Sequence, residues 1–166
     1  MNKIRLRGLV EEDFVNYKLP SMFLITCFCD FKCEKEDNNC ETFCQNSPLM
    51  NSPIIEIEIQ KLIDKYINNP ISKCVVIGGL EPFLQFEELI NFISKFRKYS
   101  NDLIIIYTGY YDYEIENKLD KIIKYKNIIV KYGRYKSNSS ERYDEVLGVK
   151  LSSDNQYACF YNGEIE

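Results

Sequence analysis

Four cysteines crowd one polar stretch, CDFKCEKEDNNCETFCQN at residues 29–46: Cys29, Cys33, Cys40 and Cys44. Thiolates are soft ligands, and the pattern C-x3-C-x6-C-x3-C could close a tetrahedral zinc or rubredoxin-like iron site. Sites of that kind usually draw on C-x2-C pairs, whose tight turn aims both sulfurs at one ion, and both pairs here are spaced more widely. A four-iron four-sulfur cluster is a larger object that accepts wider and less regular spacing. Held by three thiolates, it leaves one iron open to a small molecule. These residues alone leave both readings open.

Composition narrows the chemistry further. The chain has seven cysteines and no histidine. The missing imidazole removes Cys/His zinc fingers, catalytic triads and histidine acid/base mechanisms together. Lys and Arg number 21 against 25 Asp and Glu, a net charge of -4 with the signs interspersed, which argues against nucleic acid as the main partner. No segment approaches the ~20 apolar residues of a membrane span, and no apolar run follows the basic residues of MNKIRLRGLVEEDF. The expectation is a cytoplasmic protein with no membrane partner. In such a reducing compartment clustered cysteines are better explained by metal binding or reactivity than by disulfides.

At 166 residues, 45% of them hydrophobic, the chain suffices for one domain over residues 1–166 that buries roughly two thirds of its unfolded surface. Within it, MFLIT (22–26), KCVVIGG (73–79), LIIIYTG (103–109) and NIIVKYG (127–133) read as short apolar strands. Between them, residues 54–69 carry helical spacing in their second half, and 84–99 and 113–125 are amphipathic helices. This alternation predicts an α/β fold, either a partial (β/α) barrel or an open parallel sheet of about four βα units. VLGVKL and QYACFY, joined by SSDN, predict a C-terminal β-hairpin over 146–161. EEDF at 11–14 reads as a solvated face. Cys27 reads as a spare thiol at a strand end, and Cys74 and Cys159 as small core residues.

In parallel α/β folds the site lies beyond the C-terminal strand ends, where the cluster loop (27–46), GGLEP (78–82) and TGYY (108–111) converge. A glycine pair there lets a ligand approach the backbone, although a tight strand-to-helix turn also needs glycine. Thr108 could equally serve as a helix N-cap.

These segments carry a resemblance. CDFKC supplies the C-x3-C that opens the radical S-adenosylmethionine signature, and FCQN resembles the aromatic-Cys-x-Asn ending of that signature in the activases of anaerobic ribonucleotide reductase. The usual signature is C-x3-C-x2-C, whereas ten residues separate Cys33 from Cys44, so EKEDNNCETF (34–43) reads as an insertion that moves the third ligand. The resemblance implies Cys29, Cys33 and Cys44 as cluster ligands, because Phe43 and Asn46 fit their motif positions, with Cys40 as the alternative third ligand. GGLEP resembles the family's GGEP with one inserted Leu, and YTGY matches the corresponding activase segment one βα unit later. The cofactor-binding residues so implied are Phe43, Gly78, Gly79, Glu81, Thr108 and Gly109. KYGRY (131–135) resembles the segment with an Asp-Gly pair, with Lys131 and Tyr132 in place of the acid, and SSDNQ (152–156) is similar to the family's Ser-Ser-Asn-Gln.

What the resemblance implies is a 4Fe-4S cluster that reductively cleaves S-adenosyl-L-methionine to a 5′-deoxyadenosyl radical, with no catalytic side chain beyond the cluster. Its target would be a glycine of the large subunit of anaerobic ribonucleotide reductase, with flavodoxin or ferredoxin as electron donor. Hydrogen-atom abstraction needs no general acid or base, which suits a chain without histidine. A sheet too short to close an eight-stranded barrel leaves one side open, which favours a macromolecular substrate. Two alternatives stand beside it: a radical enzyme acting on another protein, peptide or nucleotide, and a non-catalytic four-cysteine zinc or iron-sulfur module for binding or electron transfer.

Overall fold

Alternate residues of the apolar strands pack on opposite sides of one sheet, as the period of two requires. A computed structural model describes residues 1–37 and 42–163. Its elements run β1 (Lys3–Leu6), β2 (Gly8–Asp13), β3 (Ser21–Ile25), α1 (Lys32–Lys35), β4 (Ile55–Glu58), α2 (Ile59–Ile67), β5 (Cys74–Gly78), α3 (Phe86–Phe96), β6 (Ile104–Tyr107), α4 (Glu116–Ile122), β7 (Ile128–Tyr132), β8 (Arg142–Asp144), β9 (Val149–Leu151) and β10 (Tyr157–Tyr161).

Six strands form an open mixed sheet in the order β10-β7-β6-β5-β3-β2. The four strands expected from sequence, β3, β5, β6 and β7, are its parallel centre. Strands β2 and β10 close its edges antiparallel. No barrel forms among the described residues; the edges lie at opposite ends of the sheet.

The two faces are covered differently. Met22, Leu24, Val75, Ile77, Ile104, Ile106 and Val130 join Leu62, Ile63, Leu89, Phe92, Phe96 and Ile122 of α2, α3 and α4 in the main core. On the opposite face Cys74, Val76, Ile105 and Ile129 pack against Tyr17, Leu147 and Leu151. Residues buried on both faces explain why these strands read as unbroken apolar runs.

The C-terminal hairpin is corrected. Val149–Leu151 pairs with Arg142–Asp144, a strand upstream of the expected hairpin, and Tyr157–Tyr161 pairs with β7. The SSDN segment is not a hairpin turn. Asn155 and the following Gln156 satisfy the chain leaving β7: Asn155 Nδ2 donates to the Arg134 carbonyl at 2.8 Å and Gln156 Nε2 to that of Gly133 at 3.3 Å. The Asp144 carboxylate then fastens the small hairpin to the sheet, accepting from Leu147 N at 3.0 Å and Ala158 N at 3.2 Å.

The N-terminal strands escaped the sequence reading. Strand β1 pairs with β4 in a separate two-stranded sheet, and β2 carries the EEDF acids along an edge. Glu11 there pairs with Lys65 of α2 at 2.6 Å. No helix among the described residues is long and apolar enough to cross a membrane.

Candidate functional site

Each parallel strand delivers its loop to the same edge of the sheet, where a cavity of about 380 Å³ opens. Cys29, Cys33, Cys44, Gly79, Glu81, Thr108 and Gly109 line it together. Gly78 and Phe43 do not. Gly78 is the last residue of β5, its carbonyl held by Thr26 N at 2.8 Å and Thr26 Oγ1 at 3.0 Å. Phe43 is 75% exposed. Cys40 lies outside the described residues.

The cysteine segment is built by short-range hydrogen bonds. Phe31 adopts a left-handed conformation (φ 53°) that swings the chain into α1. That helix presents Cys33, while its Glu34 accepts from the Cys44 amide at 2.7 Å and so fixes the third thiol beside it. Thr42 N donates to Asp37 Oδ2 at 2.6 Å, joining the two sides of the inserted stretch, and Thr42 Oγ1 meets Ser137 Oγ at 3.0 Å. Upstream, the Cys27 amide donates to Gln85 Oε1 at 2.7 Å, and Gln85 Nε2 donates to the Arg5 carbonyl at 3.0 Å. Cys27, read as a spare thiol at a strand end, is fully buried just past β3 and packs as a small core residue. Cys74 is buried as expected and Cys159 half-buried.

Glu81 organises the opposite wall. Gly79 turns the chain there at φ 83°, and a Cβ on it would stand 2.8 Å from Ile25 Cγ2, so glycine is required for packing as well as conformation. Two residues on, the buried Glu81 carboxylate accepts from Phe83 N at 3.1 Å, capping the 3-10 turn Pro82–Gln85. It also accepts from Thr108 Oγ1 at 2.8 Å and Gly109 N at 2.9 Å. Burial nevertheless pushes its pKa up to about 7, against the pull of the Gly109, Thr108 and Phe83 hydrogen bonds. Thr108 also accepts from Tyr110 N at 3.0 Å, so it caps its own turn while binding Glu81.

Burial governs the thiols too. It pushes Cys29 up to about 12, partly offset by the Phe31 amide at 3.4 Å, and it raises Cys33. Ligation by a cation would reverse this, since a coordinating thiol is deprotonated. Among the described residues, no group of three or more His, Cys, Asp and Glu side chains gathers tightly enough for a single metal ion. A four-iron cube takes its thiolates at separate corners, and three cysteines lining one cavity fit that kind of donor set.

Several lining residues were not among the ligand or cofactor-binding residues expected from sequence. Tyr110 donates its hydroxyl to Asp30 Oδ2 at 2.6 Å, tying TGYY to the cysteine segment. Lys131, whose ammonium burial lowers to about 8 while Cys33 and Glu81 pull it back up, projects from β7 onto the cavity wall. Arg134 lies one residue past Gly133. The available signal was a cation at a strand end beside a glycine, in KYGRY.

Comparison with known proteins gives the class of the centre. No curated protein matches the chain. The model of the 4Fe-4S single cluster domain matches residues 21–157, from the first strand of the parallel centre to the start of β10, and takes in all three cavity cysteines. The chain therefore belongs to the 4Fe-4S single cluster domain family and is an iron-sulfur protein.

Proposed function

We propose that the protein is a radical S-adenosylmethionine enzyme of the activase type, installing a glycyl radical on the large subunit of anaerobic ribonucleotide reductase. The observation that carries this reading is the meeting of Cys29, Cys33 and Cys44 with Gly79, Glu81, Thr108 and Gly109 around one cavity. These residues come from three separate strand-end motifs, each of which resembles its counterpart in that family. Cys29, Cys33 and Cys44 would hold the cluster, and the cavity beside them would take S-adenosylmethionine. When bound, the two would supply one-electron cleavage of the sulfonium to methionine and a 5′-deoxyadenosyl radical.

The chain's own part is positioning and exclusion of water. Glu81 draws the Gly109 amide and the Thr108 hydroxyl inward, fixing the loop after β6 against the loop after β5. Asp30 and Tyr110 hold that loop against the cysteine segment. Gly109 leaves backbone exposed where a side chain would stand against Cys33 and Glu81, and Gly79 makes the tight turn against Ile25. Lys131 contributes positive charge on the wall facing the thiolates. The open sheet leaves a flank available to a macromolecular substrate, with flavodoxin or ferredoxin as the electron donor.

The test is anaerobic reconstitution with iron and sulfide, followed by reduction in the presence of S-adenosylmethionine. Formation of 5′-deoxyadenosine and a perturbed cluster spectrum are expected, and a glycyl radical should appear by electron paramagnetic resonance once the reductase subunit is added. Deoxyadenosine without that radical would move the substrate to another protein, peptide or nucleotide. A cluster indifferent to S-adenosylmethionine, or zinc in its place, would sink the radical reading in favour of a non-catalytic module.

A further inference from the structure

Arg134 is an unusual residue to find at a strand exit. It is 5% exposed and belongs to neither apolar cluster, and all five of its N–H donors are engaged. Nε and Nη2 donate to the two oxygens of Glu36, each at 3.0 Å. Nη1 and Nη2 donate to those of Glu114, each at 2.6 Å. Nη1 also reaches the Gly109 carbonyl at 2.6 Å. Lys32, 3.6 Å from Glu114, brings the local charge to two cations against two anions. Only the planar fork of a guanidinium can serve three acceptors in this way.

The three acceptors belong to three different parts of the site, and Arg134 bonds to all of them at once. Glu36 closes α1, the helix that presents Cys33. The Gly109 peptide is held from both ends, its N–H by Glu81 at 2.9 Å and its carbonyl by Arg134. It also faces the thiol: a Cβ on Gly109 would stand 3.7 Å from Cys33 Sγ. Glu114 anchors the 3-10 turn Asp112–Glu114 that follows.

We propose that Arg134 is a positioning residue for the cluster, setting the distance and orientation of Cys33 relative to the Gly109 peptide across the cavity. The proposal rests on the reading of Cys33 as a cluster ligand. Arg134 acts through Glu36 and Gly109 and touches no reacting atom. Without it, α1 would be held to the adjacent loops by the longer Lys32–Glu114 ion pair at 3.6 Å, with the Asp30–Tyr110 bond before the helix and the Thr42–Ser137 contact after it.

Amide hydrogen exchange on the metal-free full-length chain tests the clamp. The amides of Glu34, Lys35 and Glu36, which bond back to Phe31 and Lys32, report α1, and those of β6 report global opening. In Arg134→Gln the α1 amides should exchange on the order of tenfold faster while β6 is unchanged. Arg134→Lys should recover only part of the protection. Glu36→Gln, changed at a half-exposed position, should give a smaller acceleration and serves if Arg134→Gln does not fold. After reconstitution, the reduced cluster of the variant should show shifted electron paramagnetic resonance lines. Unchanged α1 exchange, α1 and β6 accelerating together, or a wild-type cluster spectrum would each overturn the proposal. Failure of the wild-type chain to retain iron would instead overturn the cluster reading, leaving the exchange comparison to judge the clamp alone.

Discussion

The Thr108 hydroxyl donates to the Glu81 carboxylate at 2.8 Å, joining the loops that follow adjacent parallel strands β5 and β6. GGLEP and TGYY are thus one structural unit. Replacing Thr108 by Val keeps the shape but withdraws a donor from a buried carboxylate. Urea denaturation should report a loss of about 1–3 kcal/mol, with Thr108→Ser close to wild type. A neutral result for the Val variant would mean that Glu81 does not depend on this bond.

The pH dependence of stability has a definite sign at Glu81. Its folded pKa of about 7 lies above the ordinary 4.5, so the folded chain holds that proton more tightly than the unfolded chain. This contribution is fully present below pH 4.5 and is lost as pH rises through about 7. The shift corresponds to on the order of 3 kcal/mol. Denaturation of the metal-free protein across that range should show the decline, and Glu81→Gln should remove it. Parallel curves for the two proteins would refute the assignment.

Cluster retention separates the cysteines. Cys29→Ala, Cys33→Ala and Cys44→Ala should each lose iron after anaerobic reconstitution. Cys74→Ala and Cys159→Ala, changed in the sheet, should keep it, as should Cys40→Ala. Iron and sulfide analysis decides the matter. Loss in Cys40→Ala with retention in Cys44→Ala would exchange the third ligand.

Arg5 and Glu88 support the site from below. Arg5 donates through its side chain and its own amide to a nearly buried Glu88, while Gln85 joins the Arg5 carbonyl to the Cys27 amide. Arg5→Ala strands that carboxylate, which should cost about 2 kcal/mol in a denaturant titration. Arg5→Lys restores charge without the fork and should recover part of the loss. Full stability in Arg5→Ala would show that solvent replaces the guanidinium freely.

The central strands were legible because their residues are buried on both sides. An unbroken run such as CVVIG can satisfy few other environments, and its glycine ending marked the turn that Gly79 makes at φ 83°. The cysteine spacing and the strand-end motifs were legible for a related reason, since chemistry at a strand terminus needs particular residue types close in sequence. The edge strands were not. GLVEED has one face open to solvent and no clean alternation, and its strand character comes from pairing with β3. The C-terminal segments were read as partners because they are neighbours in sequence. Their real partners are set by a free sheet edge at β7 and by Asp144 bridging β8 to β10.

Local sequence alone determined the candidate thiols, the parallel centre and the absence of imidazole chemistry, because each depends on residue type and short spacing. Tertiary structure decided which of those residues share a cavity. It left Phe43 in solvent and Gly78 inside the sheet, and it brought in Lys131 and Arg134. Such choices depend on contacts between residues as far apart as Glu36 and Arg134, where burial and charge pairing have no local signature until the chain has closed.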